Sequence, residues 1–163
     1  MKNLLVVAVL LMAVSAVSFG QSTTASATAN VNATLTIGAT GTLALGNVPQ
    51  GGTVTVLSKG ANVPLFTIAG AANAGTTVTV TPPANLVNTS LDNLQFNATA
   101  PSYNTLNNQA ASTYWVPTSG AMPSVNTSGT GALFVWVGGG VTATSGQPTG
   151  QYNGVITVSF TQP

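Results

Sequence analysis

The stretch "TASATANVNATLTI", Thr24 to Ile37, constrains the fold more than any other part of the chain. Every second residue is apolar (Ala25, Ala27, Ala29, Val31, Ala33, Leu35, Ile37), and the positions between are Thr, Ser or Asn. Period-two alternation is the mark of a β-strand with one dry and one wet face. Fully extended, this one would run roughly 45 Å, against about 17–20 Å for an ordinary strand. Two placements fit. Either the strand enters its own sheet near Val31 to Ile37 behind a loose leader, or the leading part leaves the domain and pairs along an open sheet edge of a neighbouring copy.

The same alternation recurs downstream, and nothing after residue 20 has helical spacing. "TVTV" places Val54 and Val56 on one face, "LFTIA" Phe66 and Ile68, "TTVTVT" Val78 and Val80, and "LQF" Leu94 and Phe96. "TLALG" alternates at Leu43 and Leu45, and "YNGVITVSF" at Tyr152, Gly154, Ile156, Val158 and Phe160. Gly, Pro and Asn punctuate these runs. "ALFVWV" is apolar on both faces, with Leu133, Val135 and Val137 on one and Phe134 and Trp136 on the other. Such a strand is buried on both sides or offers one side to a partner. From Pro101 to Gly131 the pattern blurs into a long loop or a weak strand pair. Short strands separated by turn signals predict an all-β fold of antiparallel sandwich type.

Residues 1–20 read as a secretory signal peptide: a positive start at Lys2, an apolar run from Leu4 to Val14, and a small-residue stretch before Gln21. The apolar run is shorter than the roughly 20 residues a membrane span needs. Export is therefore expected, to the cell surface or beyond, with no stable membrane insertion after cleavage. The domain organisation expected is residues 1–20 signal, 21–41 an N-terminal extension or donor strand, and 42–163 the sandwich.

Beyond residue 20 the chain keeps two charged side chains, Lys59 and Asp92, where soluble domains carry about a quarter. This removes whole classes of function. With no Arg and one Lys there is nothing to displace nucleic-acid counterions. With no His, no Cys and one carboxylate there is no metal-ligand set and no acid–base pair, so neither a cofactor nor enzymatic activity is expected. A surface made of Thr, Ser, Asn and Gln loses little by pressing against a copy of itself, since few ions must be desolvated. Lys59 and Asp92 together would suit an isopeptide bond to an Asn, but a solvated Lys in the "SKGAN" turn is the simpler expectation.

"LALGNVPQGGTVTV", Leu43 to Val56, and "ALFVWVGGGVTATSGQPTGQYNGVITVSF", Ala132 to Phe160, resemble a bacterial secreted family called domain of unknown function forty-four hundred and two. Leu45-Gly46 stands where Phe-Gly is usual in that family, and the resemblance leaves Pro101 to Gly131 uncovered. It implies an immunoglobulin-like β-sandwich, exported, akin to fimbrial subunits. The last strand also resembles that of chaperone–usher pilins, with Gly150, Ile156, Val158 and Phe160 in the matching roles. Gln162 stands where those pilins carry Tyr.

The expected function is thus a secreted structural subunit of a pilus-like filament or surface coat, assembled by donor-strand complementation. Its donor residues would be Ala27, Ala29, Val31, Ala33, Leu35 and Ile37, and its groove edge Ile156, Val158 and Phe160. The partners expected are copies of itself, with a periplasmic chaperone or outer-membrane assembly machinery as a further one. The alternative is a monomeric adhesin or carbohydrate-binding module displaying Tyr103, Tyr114 and Trp115 from the irregular region, because exposed loop aromatics mark binding sites.

Overall fold

A computed structural model describes residues 33–115, 121–122 and 124–163. Among them every regular element is a strand: β1 (Thr36–Thr40), β2 (Thr53–Val56), β3 (Leu65–Ala69), β4 (Gly75–Thr81), β5 (Asn85–Val87), β6 (Asn93–Ala98), β7 (Ser102–Asn104), β8 (Thr113–Tyr114), β9 (Val125–Asn126), β10 (Ala132–Trp136), β11 (Gly139–Thr142) and β12 (Thr157–Thr161). They form three antiparallel sheets, ordered β1-β3-β10-β7-β8, β2-β11-β6-β5 and β12-β4-β9. Residues 1–32 lie outside the described residues, and with them the donor residues Ala27, Ala29 and Val31.

Alternation in the sequence becomes burial in the sheets. Ile68 of β3, Val78 of β4, and Leu133 and Val135 of β10 are completely buried, and with Phe66, Val80, Trp115 and Met122 they make the first core. The five-stranded and three-stranded sheets contribute to it from opposite sides, as in a sandwich. Burying each such aliphatic side chain is worth about 1.5–3 kcal/mol. A second core, Leu94, Phe96, Val141 and Ala143, belongs to the four-stranded sheet, with half-buried Leu43, Leu45, Val48 and Tyr152 laid over it. Ile156 packs against both cores.

One length of chain serves two sheets. β10 runs through Val137 and Gly138 into β11, so the strand that fills the first core goes on to build the floor of the second. At Gly138 the backbone of the 56–58 segment passes so close that a Cβ would lie 2.6 Å from the Ser58 nitrogen. The outer face of β10 is also covered: Trp136 is buried and stacks on Phe134 at 6.4 Å.

Several sequence expectations are adjusted here. The blurred region carries three short strands, β7, β8 and β9. "TLALG" is not a strand; Leu43 and Leu45 are half-buried as a strap over the second core. The last strand begins only at Thr157. Ahead of it Val155 is on the outward parity and 77 % exposed, and Asn153 makes an isolated bridge with Val87.

Candidate functional site

β1 and β12 are the outer strands of their sheets, and their inward faces are underfilled. In an antiparallel pair, residues directly opposite share a face. Ile37 is opposite Ile68 and Ala39 opposite Phe66, so both point towards the first core. Yet Ile37 is 40 % exposed where Ile68 is completely buried, and Leu35, just ahead of the strand, is 48 % exposed. On β12, Val158 is opposite Val80 and Phe160 opposite Val78, again on the core side, and both remain only half-buried. Each strand has one hydrogen-bonded neighbour among the described residues, β3 for β1 and β4 for β12.

Gln162 places the two edges on the same flank. Its side-chain oxygen accepts from the Ala71 N–H at 2.9 Å, and its Nε2 donates to Thr76 Oγ1 at 2.7 Å. The amide occupies the space a Cβ on Gly70 would need, which makes glycine the residue that fits there. This clasp draws the end of β12 onto the turn after β3, next to Ala69, which pairs with Thr36 at the start of β1. We call the apolar rows of these two edge strands, Ile37 and Ala39 on β1 and Val158 and Phe160 on β12, the seam. An extended segment with small or aliphatic residues at every second position has the chemistry to fill it.

Of the expected donor residues, Ala33 and Leu35 stand just ahead of β1, and Ile37 is paired within its own chain through the β1–β3 ladder. Of the groove residues, Val158 and Phe160 line the seam, while Ile156 sits deeper, against both cores.

The three loop aromatics part company. Trp115 is 5 % exposed and belongs to the first core, not to solvent as the sequence reading has it. Tyr103 is half-buried on β7, 5.7 Å from it between ring centroids. Tyr114 alone is exposed, and Lys59 Nζ lies 4.6 Å from its ring centre, a cation–π contact. The reason is parity: Tyr103 is opposite Thr113 and Ser102 opposite Tyr114, so Tyr114 faces outward while its neighbour Trp115 turns in. Asp92 accepts from Asn88 Nδ2 in the β5–β6 turn, so the two charged side chains among the described residues serve separate local structures.

A cavity of about 580 Å³ lies over the four-stranded sheet. Leu43, Leu45, Leu86, Leu94 and Val141 give it an aliphatic lining, and Asn47, Gln50 and Gln151 add amides to its wall. Gln147 ties the wall together, donating to the Asn93 carbonyl and to the Tyr152 hydroxyl. Among the described residues no three His, Cys, Asp or Glu come together, and no helix is long and apolar enough to cross a membrane. Neither the Gln162 clasp nor this cavity was read from the sequence; their parts come from segments far apart in the chain, and only the Gln at the pilin Tyr position marked one of them. Comparison of the chain with protein-family models and with curated proteins finds no match in either.

Proposed function

We propose that the chain is a secreted structural subunit of an extracellular filament or surface coat, and that it assembles by strand donation between copies. In this reading the domain is an immunoglobulin-like sandwich with an extended N-terminal strand. The alternating residues ahead of Thr36 add to the seam between β1 and β12 of the next copy. The carrying observation is the underfilled seam: Ile37, Val158 and Phe160 point at the core yet stay partly wet. Each backbone hydrogen bond gained along it contributes about 0.5–1.5 kcal/mol, and alternate Ala and Val side chains would cover the exposed apolar rows. The near absence of charge keeps the desolvation cost low. A carbohydrate-binding role for the loop aromatics is less well supported, because Trp115 is in the core.

The test is electron microscopy and sedimentation of the chain beginning at Gln21, with and without residues 21–30. Filaments or higher oligomers are expected from the longer chain alone. A longer chain that stays monomeric at high concentration overturns the reading.

A further inference from the structure

The turn between β5 and β6 carries a leucine in a backbone conformation that suits glycine. Val87 pairs with Asn93, and Asn88 N donates to the Asp92 carbonyl, leaving Thr89, Ser90 and Leu91 as a three-residue loop. Leu91 N donates to the Asn88 carbonyl, and Leu91 takes φ +65°. Hairpin loops of this length close through a left-handed last residue, ordinarily glycine, and a bulky side chain there is strained. The Asn88 side chain holds the strain in place: its Oδ1 accepts from Ser90 N and Asp92 N, and its Nδ2 donates to Asp92 Oδ2. Nothing in the monomer rewards Leu91, since its side chain is 79 % exposed. Strain fixed by a dense local network around an exposed apolar side chain marks a contact made outside the chain.

We propose that Leu91 is a knob that seats in the aliphatic cavity of a second copy of this chain. The hairpin that carries the knob also builds the cavity, for Leu86 of β5 and Leu94 of β6 line it. Gln147 and Gly150 of the lining sit against Asn93 and Asn88 of the same turn. Knob and hole therefore share one patch, which is what a twofold pair requires: each copy gives a Leu91 and receives one. The hydrogen-bonding groups are complementary too. The Asp92 carboxylate beside the knob meets amide donors, Asn47, Gln50 and Gln151, in a wall that holds no carboxylate. This contact uses a patch other than the β1–β12 seam and does not rest on strand donation.

The chain has no cysteine among its described residues and none in its sequence, so the pairing can be read by disulfide trapping whether or not filaments form. Leu91→Cys protein is mixed with Thr149→Cys protein, Thr149 being an exposed residue of the cavity lining, and both are gently oxidised. Mixed disulfides well above the chance half of all pairs are expected; chance proportions or none overturn the proposal. Leu91→Gly supplies the second readout. At a dilution where the parent chain is unpaired, relief of the backbone strain should raise the melting temperature by roughly 3–6 °C, and at higher concentration loss of the knob should weaken pairing about tenfold or more. A lower melting temperature would make Leu91 a servant of its own fold and sink the idea, as would unchanged pairing.

Discussion

Replacing Gln162 with methionine keeps the length of the side chain and removes its amide. That amide accepts from Ala71 N at 2.9 Å and donates to Thr76 Oγ1 at 2.7 Å, and Thr76 is completely buried. Each bond contributes about 1 kcal/mol net, and a part-buried N–H left without an acceptor costs about 1–3 kcal/mol. The Thr76 hydroxyl keeps its own bond to the Ala74 carbonyl, so the Ala71 N–H bears most of the loss. The expected destabilisation is about 2–3 kcal/mol, or roughly 6–12 °C for a domain of this size. Thermal unfolding followed by the fluorescence of buried Trp115 and Trp136 measures it directly. Gly70→Ala should give a drop of the same order, because the new Cβ takes the place of the amide. The double variant should fall little further than the worse single one, since both act through the same contacts. A Gln162→Met melting point within about 1 °C of the parent, or full additivity of the two changes, refutes the clasp.

Three further outcomes follow from the packing. Trp115→Ala should cost about 3–5 kcal/mol in urea unfolding, as a large buried side chain is lost; a cost below about 1 kcal/mol would return Trp115 to the surface. Lys59 is the chain's only basic side chain beyond residue 2, and Gln109 Nε2 donates to the Ser58 and Gly60 carbonyls on either side of it, at 2.8 Å each. Native protein should therefore resist trypsin at Lys59–Gly60 while Gln109→Ala is cut into two fragments; equal cleavage rates on a gel would remove the clamp. Oligomer size by light scattering should change little between about 0.05 and 1 M NaCl, because there are almost no charges to screen; dissociation at high salt would contradict an interface with no ion pair across it.

What was legible in the sequence was local. The period of two at Val78 and Val80, and at Leu133 and Val135, foretold strands and the face each would bury. The two-sided apolar run at Phe134 and Trp136 left open a strand covered on both sides or one offering a face to a partner, and the structure buries Trp136 against Phe134. Parity was not legible where runs are short. β8 has two residues, Thr113 and Tyr114, so no alternation could show that Trp115 turns inward while Tyr114 turns out. Leu43 and Leu45 alternate as in a strand but pack as a strap, because Ala44 N bonds to the Asn62 carbonyl and the segment joins no ladder. The seam was legible only in part: the front alternation extends as far as Ile37 of β1, while the half-buried Val158 and Phe160 depend on β12 being the outer strand of its sheet. Gln162 stood out as a departure from the pilin pattern, and its role depends on Gly70 and Thr76, far away in the chain.

The β1–β3 ladder carries a mechanical consequence. β1 lies antiparallel to β3 from Thr36 opposite Ala69 to Thr40 opposite Leu65. A load transmitted down the chain into Thr36 and directed along β1 pulls on every rung together and must shear them at once. The same load applied crosswise would peel them singly at far lower force. Under the proposed strand donation, a chain held through the residues before Thr36 would thereby be toughest along the line in which a fibre is stretched.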